Sequence, residues 1–188
     1  MAAMIERLRD EHRNIARLLG ALERQIEVFA REGAPDYDVI GGVAAYFLEY
    51  PDRWHHPKED IIFGRLGRDH PTETAAMGDL PHEHALLHDR AVRFSETVRA
   101  PLGDTDIARA AVVDAARAFI EAERSHMLAE EQRFFPLAEQ KLTPADWSQI
   151  EDELASRPDP LFGGPVEERF RTLRERLLAW EAEFRADA

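Results

Sequence analysis

The stretch Trp54-His55-His56-Pro57-Lys58-Glu59-Asp60-Ile61-Ile62-Phe63 decides how this chain is read. His55 stands four residues before Glu59 and seven before Ile62. On a helix those three side chains share one face, and Ile62 and Leu66 mark that face as apolar. An imidazole and a carboxylate turned toward a core are costly unless something inside the core satisfies them.

The same problem recurs along the chain. His126 stands seven residues after Phe119 and four before Glu130. His84 and His88 are one helical turn apart, beside Leu87 and Ala91. His12 follows Leu8 by four and precedes Ile15 by three, so it falls within an apolar stripe. His12, His55, Glu59, His84, His88, His126 and Glu130 therefore form one candidate set, drawn from four segments. Taken singly, each is an ordinary core or surface residue. Taken together, they call for a common partner, and a shared metal removes the cost of burial.

The apolar spacing around these residues is helical almost throughout. Ile5, Leu8, Ile15, Leu19, Leu22, Ile26 and Phe29 predict a first helix over about residues 2–31, with Gly33 placed for its C-terminal cap. A second helix begins near Asp36 and runs through Val43, Phe47 and Leu48; Pro51 and Pro57 predict a kink or restart within it. Residues 67–80, with Pro71 and Gly78, read as a long loop. Pro81 opens a third helix that reaches about Ala100. Pro101-Leu102-Gly103-Asp104 is a turn, and Asp104 or Thr105 caps a fourth helix. That helix carries Val112, Ala116, Phe119, Ile120 and Leu128 to about Lys141, with a bend at Pro136.

Four long helices joined by turns predict an all-α fold, an antiparallel up-down four-helix bundle over residues 1–141. Residues 142–188 form a C-terminal helical extension packing on the bundle. In it, Thr143 caps a helix that opens at Pro144, and 156–165 is a Pro/Gly-rich connector. A last amphipathic helix carries Phe170, Leu173, Leu177, Trp180 and Phe184. It packs on the outside of the bundle or makes a homodimer contact.

Composition narrows the function classes. The 188 residues include 24 basic and 37 acidic side chains, for a net charge of -13. So acidic a surface repels nucleic acid and anionic lipid. No cysteine is present, which excludes zinc–thiolate and iron–sulfur sites. No stretch is apolar enough to span a bilayer and the first residues lack a signal core, so a cytoplasmic protein is expected. Imidazole and carboxylate without thiolate suit iron, zinc, manganese or copper. Seven donors exceed the about four that a structural zinc site needs and point to two ions. Two octahedral ions offer about twelve positions. Five histidines, two bridging carboxylates and a bridging oxide or hydroxide leave one for an exchangeable ligand.

The chain resembles the hemerythrin and HHE cation-binding family. The stretches that carry the likeness are Leu8-Arg9-Asp10-Glu11-His12, the Trp54–Phe63 segment quoted above, Glu83-His84-Ala85-Leu86-Leu87-His88, and His126-Met127-Leu128-Ala129-Glu130-Glu131-Gln132-Arg133-Phe134-Phe135-Pro136. The resemblance covers about residues 4–140. It implies a carboxylate-bridged pair of non-haem iron ions, held by His12, His55, Glu59, His84, His88, His126 and a carboxylate after His126. Glu130 and Glu131 both stand where that carboxylate belongs; Glu130 is preferred because it stacks on His126. Of the adjacent pair His55-His56, His55 is preferred for its spacing to Glu59, and His56 is expected to face outward. The five-histidine pattern implies binding of dioxygen or a related small ligand, for sensing, storage or delivery. The alternatives are an enzyme acting on nitric oxide or peroxide or in cluster repair, and an iron or oxygen sensor working through a partner protein. Glu123 and His126 form a Glu-x-x-His of the ferritin-like kind, but only one occurs on a bundle helix, so that class is set aside.

Overall fold

The structure is a computed structural model that describes residues 3–99, 105–154, 159–163 and 166–186. It is built from helices: α1 (Ala3–Ala30), α2 (Tyr37–Phe47), α3 (His56–Asp69), α4 (Pro71–Ala75), α5 (Leu80–Arg99), α6 (Thr105–Ala129), α7 (Phe135–Lys141), α8 (Pro144–Glu153) and α9 (Arg171–Ala186). Two π turns, Pro51–His55 and Glu130–Phe134, join α2 to α3 and α6 to α7. The four rods of the bundle are thus α1, α2–α3, α5 and α6–α7. Neighbouring rods pack side by side around a square, α1 against α2 and α6, α5 against α2, α3 and α6. The fold is the all-α bundle that the periodicity predicts.

The rods bury two apolar layers. The larger runs from Ile15, Leu22 and Phe29 of α1 through Val43 and Phe47 of α2 to Phe94 and Phe119. The smaller joins Met4, Ile5 and Leu8 to Ile62, Leu66, Leu80, Phe134 and Phe135. His12 lies on α1 between Leu8 of one layer and Ile15 of the other, and each rod repeats this change of layer at its own polar residues. A buried polar stratum is therefore held between two hydrophobic plates.

Both π turns have a visible cause. Each stands just before a proline, His56-Pro57 in one rod and Phe135-Pro136 in the other. Proline has no N–H to give the ladder and its ring crowds the carbonyl four residues back. The preceding residue then bonds five residues back: His56 N–H to the Pro51 carbonyl, Phe135 N–H to the Glu130 carbonyl. The kink or bend predicted at these prolines takes the form of a widened turn.

Other local expectations are corrected. The left-handed residue that ends α1 is Glu32, at φ 61°, one before Gly33. Gly33 is the next residue of the same cap, its N–H on the Val28 carbonyl at 3.0 Å. A Cβ at Gly33 would stand 2.8 Å from Val28 Cγ1, so glycine serves close approach there. The stretch expected to be a loop over 67–80 contains the end of α3 and all of α4, because Pro71 opens a helical turn. Leu128 is exposed, and Met127 takes the core position. Pro101–Asp104 and residues 156–158, 164 and 165 of the 156–165 connector lie outside the described residues. Of the C-terminal helices, α8 packs on α3 through buried Ile150, while α9 packs on α2 through Leu173 and Leu177. There the backbone of Gly42 comes so close that an added Cβ would meet Leu173 at 3.3 Å. Among the described residues, no helix is long and apolar enough to cross a membrane.

Candidate metal centre

Between the two apolar layers the rods bring together His12 from α1, His55 from the first π turn, His56 and Glu59 from α3, His84 from α5, His126 from α6 and Glu130 from the second π turn. All are buried, and Glu59 is wholly so. Two donor groups are close enough to share an ion: His12, His55 and Glu59 on one side, His56, Glu59, His84 and His126 on the other.

The two carboxylates stand between these groups. Glu59 Oε1 lies 3.5 Å from His12 Nε2 and 3.4 Å from His55 Nε2, while its Oε2 lies 3.6 Å from His84 Nε2. Glu130 mirrors it: Oε2 is 3.3 Å from His12 Nε2, and Oε1 is 3.2 Å from His126 Nε2 and 3.6 Å from His84 Nε2. Each carboxylate thus offers one oxygen to each side.

The outward ring nitrogens of four of these histidines are tied down in the same way. Nδ1 of His55 is 2.8 Å from Glu11, that of His12 is 3.0 Å from Glu131, that of His84 is 2.9 Å from Asp60, and that of His56 is 3.2 Å from Asp52. His126 Nδ1 stands 3.4 Å from Glu83, an ion-pair distance without hydrogen-bond geometry. A carboxylate on Nδ1 holds the proton there and leaves Nε2 a lone pair for a metal. The inward atoms lack partners: Nε2 of His12, His84 and His126 and all four oxygens of Glu59 and Glu130 are buried without a hydrogen bond. Unsatisfied donors and acceptors at one point in a core are what an ion would satisfy.

Electrostatics agree. Burial alone would lower His12, but Glu130, Glu131 and Glu59 overcome it and hold the imidazole at about 11. His84 is likewise depressed by burial and then raised, by Asp60, Glu130 and Glu59, to about 10. Burial dominates at His56, which falls to about 4 despite Asp52. Glu130 would be raised by burial, yet His12, His126 and His84 keep it well below the carboxylate range. Without an ion, protons on His12 and His84 balance the buried carboxylates.

His88 is not brought to this cluster. Its ring is nearly half exposed, and Nδ1 bonds to the far oxygen of Asp52, whose other oxygen faces His56. The expectation for His88 is corrected by geometry: α5 is a regular helix, and its buried stripe follows Leu80, His84, Leu87 and Ala91. His56, expected to face outward, takes an inward place instead. The π turn is the reason, since a widened turn lets adjacent residues both face the core. The two prolines flanking His55-His56 were the available signal. Glu131 lies outside the donor cluster and holds His12.

Sequence reasoning also missed the outer carboxylates Glu11, Asp52, Asp60 and Glu83, and it discounted Glu123. The last is buried, and burial raises it to about 7. Two openings approach the centre. A cleft of about 500 Å³ between α5 and α6 has His126, Glu83 and Leu87 in its wall. A shallower one of about 470 Å³ is lined by Asp52, His56, Asp60, His84 and His88.

Residues 3–138 match the hemerythrin HHE cation-binding domain. The chain belongs to that family. This HHE domain is therefore a cation-binding one, and its buried histidine–glutamate group fits a metal site. No curated protein and no solved structure matches the chain.

Proposed function

We propose that this HHE domain carries two non-haem iron ions bridged by Glu59 and Glu130, and that the pair takes up dioxygen or a related small ligand for sensing, storage or delivery. The observation that carries the reading is the division of each carboxylate between two histidine groups. His12 and His55 stand on one side, His56, His84 and His126 on the other. With each carboxylate giving one oxygen to each ion, and with one shared oxide or hydroxide, the three-histidine side reaches six donors. The two-histidine side reaches five, as octahedral iron with one open position requires. The apolar layers on either side, with Ile15, Phe119 and Phe135, restrict water, which favours a bound ligand over its loss as reactive oxygen.

Iron analysis with optical spectroscopy tests this. The expected result is about two irons per chain and a visible band that appears when the anaerobically reduced protein meets air and disappears under vacuum. One ion per chain, or oxidation that vacuum does not reverse, overturns it. Glu123 favours a second reading, an enzyme acting on nitric oxide or peroxide. A buried carboxyl that keeps its proton near neutral pH can supply one to a reduced ligand. Turnover of hydrogen peroxide that falls in Glu123→Gln with iron content unchanged would select that reading.

A further inference from the structure

Four of the inward histidines are locked from outside, and one is not. His12, His55, His56 and His84 carry Glu131, Glu11, Asp52 and Asp60 on Nδ1. Nδ1 of His126 is buried and has no hydrogen bond. The carboxylate that faces it, Glu83, stands off at 3.4 Å on a half-exposed side chain.

The unlocked histidine is also the one that the α5–α6 cleft reaches. His126 and Glu83 share its wall with the small residues Ala122 and Ala129, and Glu83 and Glu121 there outnumber Arg90. Glu83 and Ala129 also line a small cavity of about 20 Å³ that touches Glu130. That volume holds one water-sized particle. Carboxylates therefore mark both edges of the His126 ring. Glu83 faces Nδ1 on the cleft side, and Glu130 Oε1 lies 3.2 Å from Nε2 on the inner side.

The other mouth has more acids, with Asp52, Asp60 and Asp89 in its wall, but its own bonds close it. Asp52 is shared by His56 and His88, and Asp60 is held by His84. A cation entering there must break a carboxylate–histidine bond at each step. In the α5–α6 cleft it meets an imidazole whose outer nitrogen has no hydrogen bond to break.

We propose that divalent cations enter and leave the metal centre through the α5–α6 cleft, received by Glu83 and passed to Glu130 beside His126. The inference rests on the metal-centre reading above. Carboxylate and imidazole are the donors such an ion accepts. His126 is the gate, because its ring turns without losing an outer hydrogen bond, while the four locked histidines hold still. A carboxylate that merely steadied His126 would, on removal, loosen the bound ion. A carboxylate met only in passing changes the rates in both directions and leaves occupancy alone.

Cobalt(II) is the probe. Absorbance follows its uptake by the metal-free full chain and its removal by EDTA, and cobalt content at equilibrium is measured on every sample. Ala122 stands one turn before His126 on α6, so Ala122→Phe fills the cleft over the gate. Uptake and removal in Ala122→Phe are expected to slow by roughly tenfold with content unchanged. Glu83→Ala is expected to slow both as well, and it decides the matter if Ala122→Phe does not fold. Ala85→Phe, which crowds the other mouth, is expected to keep wild-type rates. Wild-type rates in a folded Ala122→Phe protein, faster removal from Glu83→Ala, or slowing by Ala85→Phe overturns the inference alone. A wild-type chain that takes up no cobalt ends the metal-centre reading and this inference with it.

Discussion

His56 and His88 show how much a single side chain's direction decides. Both belong to histidine pairs in the sequence, and spacing alone favours His88. The structure puts His56 beside Glu59, His84 and His126 and leaves His88 at an outer mouth on Asp52. We expect His56→Ala to lower metal content well below that of wild type, and His88→Ala to leave it unchanged. Metal analysis of the two purified variants checks this, and the reverse order would return His88 to the site. Protonation gives a second prediction. At pH 8 an ordinary histidine, near 6.5, has no proton to lose, but His12 and His84 are held at about 11 and 10 by their carboxylates. A metal must displace those protons, so loading at pH 8 releases more than one per chain. Calorimetric titration in two buffers of different ionisation enthalpy measures the release; a heat independent of buffer would contradict it.

At the scale of elements, the π turns decide which residues meet. Both precede a proline, and both supply or directly flank donors: His55 and His56 at one, Glu130 at the other. Restoring an N–H at residue 57 allows the ladder to close in the ordinary way, which rotates His55 and His56 relative to each other. Pro57→Ala is therefore expected to keep the helix content seen by far-ultraviolet circular dichroism and to lose metal affinity. Full affinity in a folded Pro57→Ala protein would show that packing, and not the proline, sets the widened turn.

For the whole molecule, the buried polar layer is a liability until an ion fills it. In the metal-free protein the raised histidines stabilise the fold only while they stay protonated. That contribution is complete below about 6.5 and is lost as pH climbs through the folded values of about 10 and 11. The melting temperature of metal-free protein should fall from neutral to alkaline pH, and loading with metal should abolish the fall. The C-terminal helix adds a test of packing. Leu173 of α9 is buried against the close approach at Gly42, so Leu173→Ala should cost roughly 2–5 kcal/mol in a denaturant titration. A loss below about 1 kcal/mol would mean that the site collapses around the smaller side chain. The sequence by itself determined the bundle and a histidine–carboxylate core. Helical period and the i, i+4 rule are local, and the rods carry them whatever their neighbours do. It located His12, His84 and His126 because each lies on a regular apolar stripe. Only the tertiary structure brought His56 into the cluster and left His88 outside it, and only it set the Tyr46 hydroxyl on Asp159. Those choices depend on how a widened turn rotates side chains, and on contacts between segments more than a hundred residues apart that no local period encodes.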